Sequence, residues 1–194
     1  VLNLLGAVAL VASFAGYGLA VRRKLDVDMC FVPAVVLCAA GCVVYLGGIV
    51  GLLVPAAWAV LLGGIVALGF DAWRWLRDPA SRPHPHVSAF GVCFALGALL
   101  FLSMLPGEHL EHYDNFSHWA TAVKVLLSTG AFPAADNGLI EFFNYPLGTT
   151  SLIFYICLFA GHAEGTMLLA QGLLIFALFL AVFGMLRHKR SFLL

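Results

Sequence analysis

The side chains able to do chemistry in this chain crowd into one stretch. From Glu108 to His118 the sequence reads EHLEHYDNFSH, and Lys124 follows shortly after. On a helix His109 and His112 stand at i,i+3, Glu111 and Asp114 at i,i+3, and Asp114 and His118 at i,i+4, so most of them share one side. Three chemistries fit such a set. Acids at a helix start can simply satisfy free backbone amides and the helix dipole, with histidines comfortable at an interface. The imidazoles of His109, His112 and His118 with the nearby carboxylates could instead hold a divalent metal ion, although HLEH does not have the H-E-x-x-H spacing of a zinc helix. Or Asp114 could act as a general base on a hydroxyl at the mouth of a membrane cavity. In that case His118 or Lys124 would steady a phosphate leaving group, with Glu111 on the substrate side.

The element that must position these groups is an amphipathic helix over 115–130. Asp114 or Asn115 suits its N-cap and Gly130 its C′ position. Phe116, Trp119, Val123 and Leu127 recur at helical spacing, opposite Ser117, His118, Thr121, Lys124 and Ser128, which predicts a helix lying along a membrane surface. At the far end of the interval, FFNYPLG leads back into apolar sequence. Tyr145 is an interfacial aromatic there, and Pro146 keeps the preceding backbone extended, a rigid re-entry that could also wall a site.

Around this interval the chain is overwhelmingly apolar. Of 194 residues 62% are hydrophobic and 10% charged, and the mean hydropathy is +1.00. A soluble core cannot absorb that much apolar surface, so the expected fold class is an all-α membrane protein and the first partner is the lipid bilayer. Ten basic residues balance ten acidic ones, which speaks against nucleic acid as a partner. The five cysteines fall in apolar runs and read as small buried hydrophobes.

Apolar runs over 2–21, 29–50, 52–70, 87–105, 149–160 and 166–186 predict about six transmembrane helices, the fifth short for a full crossing. They divide the chain into four spans in 1–106, the polar loop 107–148 and a helical hairpin in 149–194. Arg22 to Lys24, and the loop 71–86 with Arg74, Arg77 and Arg82 beside Trp73 and Trp75, place their ends in the cytoplasm. The loop 107–148 is then extracytoplasmic. Six crossings, however, leave the tail Arg187-His188-Lys189-Arg190 outside, which points to a miscounted crossing or a fifth segment that does not traverse. The start at Val1 inside an apolar run and the end at RSFLL predict a piece of a longer protein.

HYDNFSHWA at 112–120 and NYPLG at 144–148 resemble the polytopic GT-C glycosyltransferases of the bacterial cytoplasmic membrane. These carry an acid in an extracytoplasmic loop, a surface helix through it and a return through a YPP-like motif. The resemblance implies a polyprenyl-phosphate-linked sugar as donor and Asp114 as the catalytic base. His118, Lys124, Glu111 and Tyr145 would then be substrate-binding by proximity. Four spans before the loop instead of one, and YPLG in place of a second proline, depart from the family pattern. Two rival readings need no covalent chemistry: a transporter or permease component, for which only His162 and Glu164 between the last two spans are suggestive, and a non-catalytic assembly subunit.

Overall fold

A computed structural model describes residues 3–82, 88–117, 119–134, 137–140 and 145–185. The described residues form helices and connecting turns, without strands. In chain order the helices are α1 (Leu4–Leu25), α2 (Val32–Ile49), α3 (Leu53–Arg77), α4 (Ala89–Met104), α5 (Tyr113–Ser117), α6 (Trp119–Thr129), α7 (Gly148–Ala160) and α8 (Glu164–Leu180). Their starts follow capping chemistry: the Gly6 amide donates to the Asn3 side chain, and the Gly91 amide to the Ser88 hydroxyl. The cations Arg22, Arg23 and Lys24 fill the last turn of α1, where they complement its dipole.

Among the described residues five helices are long and apolar enough to cross a membrane: α1, α2, α3, α4 with its following turn, and α8 with its following turn. Hydropathy predicted about six. The shortfall is α7, whose 13 residues extend only ~20 Å against a hydrocarbon core of ~30 Å.

Two ends of the bundle can be told apart by contacts. At the basic end α1 and α3 finish together, joined by an ion pair between Arg23 and Asp71. At the loop end the Asn3 amide donates to the Ala160 carbonyl at 2.7 Å, which ties the start of α1 to the finish of α7. Between them α1 and α3 run parallel and touch backbone to backbone. A Cβ added at Gly16 would collide with the Gly64 carbonyl, so small residues set this crossing, as lipid-embedded packing requires. The Ser13 hydroxyl and the Tyr17 hydroxyl both donate to the Val60 carbonyl across the same seam, at 3.3 and 2.9 Å.

The middle of the molecule is α7. Leu152 to Cys157 are all buried, and they meet residues of α1, α2, α3, α6 and α8 in a single core. The helix does not begin level with its neighbours. Gly41, whose Cβ position faces Leu152 and the Gly148 carbonyl, lies eight residues before the end of α2, or ~12 Å inside the loop end. From there α7 rises until Phe159 stacks edge-on against Trp58 near the start of α3, with ring centroids 4.9 Å apart. α8 then descends along α4, and Gly184 in the turn that follows it meets Phe31 before the start of α2, so the chain leaves α8 at the basic end.

Three expectations change. The third apolar helix continues to Arg77 instead of giving way to a loop at 71, because the Asp71 carboxylate, only 3% exposed, is met by Arg23 and, at 3.7 Å, by Arg74. Among the cysteines only Cys30 and Cys157 are buried; Cys38 and Cys42 share the outward face of α2. Finally, α6 is not a helix with one apolar stripe. Val123 and Leu126 enter the main core, while Ala122 and Val125 pack on Ile140 and Leu147, so α6 is held on two sides, by α7 and by those two residues.

Candidate functional site

The polar residues of the 107–148 interval separate into a clamp, a surface pair and a cleft. The clamp is built around Glu164, the first residue of α8. Gly165 lets this helix start lie directly on the Leu105 and Pro106 carbonyls, where any side chain would collide. Glu164 is thereby held beside the segment leaving α4. Its Oε1 accepts from Lys124 Nζ at 2.7 Å, its Oε2 accepts from the Leu110 amide at 3.2 Å, and His109 Nδ1 lies 3.5 Å from Oε2. One carboxylate therefore joins the loop entry, α6 and α8.

The surface pair is His112 with Asp114. The Asp114 amide donates to His112 Nδ1 at 3.3 Å, so His112 serves α5 as the cap expected of Asp114 or Asn115. Asp114 sits within the first turn, where its charge suits the helix dipole. Its side chain is 58% exposed. Glu111 is exposed nearby. His118, the remaining member of the set, lies outside the described residues, as do Asn144 and the tail 187–190.

Among the described residues no three His, Cys, Asp or Glu side chains converge. His109 turns to Glu164 and His112 to Asp114, because the former contact is made across the fold and the latter within one turn. The charge of Lys124 is matched by Glu164, so a phosphate at Lys124 would exchange with that carboxylate.

The cleft, of about 280 Å³, lies between α6, the re-entry segment, α7 and α8. Trp119 and Ala122 line it from α6 and Tyr145, Pro146 and Leu147 from the re-entry segment, while Thr149, Thr150 and Gln171 supply polar groups. Gln171 is seven residues into α8, which places it ~10 Å below the loop end. A polar lining at that depth is functionally suggestive, since uncompensated polar groups are costly where lipid surrounds the protein. Asp114 is not among the residues that line this cleft.

Of the predicted site residues, then, Tyr145 belongs to the cleft, His109 and Lys124 to the clamp, His112 and Asp114 to the surface pair. Gln171, Thr149 and Thr150 were not anticipated. A single Gln inside the apolar run TMLLAQGLLIFALFL was the available signal. Glu164, singled out with His162 as a possible mid-membrane charge, instead opens α8 at the loop end, and His162 is exposed. Comparison with protein-family models, curated proteins and solved structures gives no match for this chain.

Proposed function

We propose that this chain is a membrane glycosyltransferase of GT-C type, transferring a sugar from a polyprenyl-phosphate-linked donor to an acceptor at the extracytoplasmic face. The observation that supports the reading best is the shared cleft. The two segments resembling that family, some 25 residues apart in sequence, contribute Trp119 and Tyr145 to its lining. Aromatic side chains with a few placed hydrogen-bonding groups suit a sugar.

In this reading Asp114, which stands at the exposed head of α5 outside the cleft lining and is assigned as base by the family resemblance, takes the proton from the acceptor hydroxyl as that oxygen attacks the anomeric carbon. The bond from that carbon to the donor phosphate oxygen breaks, and polyprenyl phosphate leaves with the electron pair. Thr149, Thr150 and Gln171 hold sugar hydroxyls. Lys124 reaches the phosphate by exchanging it for Glu164, which makes the clamp responsive to the donor. His118 is the further candidate for the phosphate.

Sidedness follows from the same proposal. With α7 starting at mid-depth and finishing at the loop end, five crossings would put Arg22 to Lys24, Arg74 to Arg82 and the end of α8 on the cytoplasmic side. This removes the conflict that six crossings created.

The test is release of polyprenyl phosphate by the protein in proteoliposomes supplied with polyprenyl-phosphate sugars. Asp114→Asn is expected to slow release at least ~100-fold, the usual contribution of a general base, with insertion unchanged. Undiminished release in Asp114→Asn would remove the assigned base. Absence of release across the donors, in protein that binds none of them, would remove the enzyme reading.

A further inference from the structure

At the opposite end of the bundle a second feature is left without a role. An open groove of about 610 Å³ runs along the outer face of α3 beside the end of α1. Its lower part is apolar, formed by Gly63, Val66, Ala67 and Phe70, and Val66 is 70% exposed. Its upper part is cationic, formed by Arg23, Lys24 and Arg74. Three cations there face one buried carboxylate. Asp71 takes Arg23 and Arg74 onto the same oxygen, and the Arg23 guanidinium also lies 5.3 Å from the centre of the Phe70 ring. Among the described residues Lys24 has no carboxylate partner. Asp71 therefore orients the two arginines without cancelling the positive charge of the site.

We propose that this groove binds one anionic phospholipid, its phosphate between Arg23, Lys24 and Arg74 and an acyl chain along Gly63 to Phe70. Charge complementarity selects a phosphate, which arginine recognises through its planar fork. The apolar continuation selects a lipid over a free anion. Gly63 and Arg74 are separated by eleven residues of one helix, or ~16 Å, close to the depth of one leaflet of a ~30 Å hydrocarbon core. A headgroup held at Arg74 thus places its acyl chain along the groove over the full leaflet. Trp73, with Arg77 stacked 4.4 Å above its ring, sits on the adjoining turn, where an interfacial anchor belongs.

The experiment is native mass spectrometry of the delipidated full chain titrated with phosphatidylglycerol or phosphatidylcholine. Phosphatidylglycerol is expected to bind the first site roughly tenfold or more tightly, since each nearby cation favours an anionic headgroup. The double variant Lys24→Gln/Arg74→Gln should lose that preference, and Arg74→Lys should keep most of it. Val66→Trp, at an exposed position, should block the site while every charge stays in place. Thermal unfolding of each variant in neutral detergent separates these losses from misfolding. Equal binding of the two lipids overturns the proposal. So does displacement of phosphatidylglycerol by inorganic phosphate, or undiminished binding to Val66→Trp, because either outcome assigns the cations to a headgroup-only anion site.

Discussion

Glu164 holds together three parts of the chain that are far apart in sequence, and its two oxygens carry unequal duties. Oε1 meets Lys124, whose side chain is 48% exposed, and an exposed ion pair contributes little. Oε2 accepts a backbone amide that would otherwise lack a partner. Lys124→Ala should therefore cost about 0.5 kcal/mol, and Glu164→Ala about 1–2 kcal/mol, read as thermal unfolding in detergent. Equal losses would show the ion pair, not the Leu110 hydrogen bond, to be the dominant contact. Asp71 is the contrasting residue, because it is buried and faces two guanidinium groups. Asp71→Ala strands Arg23 and should cost about 3–5 kcal/mol, whereas replacing the pair as Arg23→Met/Asp71→Leu should cost far less. A double-mutant cycle on the two positions measures the difference. Additive losses would show that the pair is not coupled.

At the level of helices, the seam between α1 and α3 depends on the absence of side chains. Gly64→Val would push its side chain into Ser13, which must move for the helices to stay in contact. The expected cost is about 2–3 kcal/mol or more, as for other overpacked cores, while Gly69→Val on the open side of α3 should cost well under 1 kcal/mol. Unfolding midpoints of the two variants decide the matter, and equal midpoints would mean that this seam is not tightly packed in the membrane. The apolar stripe through Trp119, Val123 and Leu127 was legible from helical spacing alone. That Ala122 and Val125 are buried too was not, because their partners Ile140 and Leu147 come from a segment whose path no local pattern describes. The same holds for the helix past Asp71: a local reading counts that charge as exposed, and its partner lies 48 residues earlier.

For the molecule as a whole, α7 decides the topology. If it rises from mid-depth and returns to the loop end, the loop after α1 and the chain after α8 lie on one side and the 107–148 interval on the other. Impermeant thiol labelling of a cysteine-free variant should then modify Asp26→Cys and Ser191→Cys from the same side, and Glu111→Cys from the opposite one. Labelling of the two termini of that set from opposite sides would make α7 a sixth crossing. The depth of the cleft rests on the same geometry, as Thr149 and Thr150 are carried inward only because α7 starts level with Gly41.

The sequence by itself determined the class, an all-helical membrane protein, together with the apolar segments and the polar interval between them. These are properties of composition and short-range periodicity, and lipid rewards them segment by segment. It also marked the fifth apolar run as too short and Tyr145 as a residue to watch. Only the tertiary structure decided which polar groups meet. Glu164 draws Lys124 and His109 away from the acid-histidine cluster that local spacing had assembled, and Trp119, Tyr145 and Gln171 line one cleft. Such pairings are set by the packing of α6, α7 and α8 against one another, and no helical period within a single segment encodes them. The EHLEHYDNFSH stretch thus divides into a structural clamp partner and an exposed Asp114, while the polar lining at depth comes largely from residues outside it.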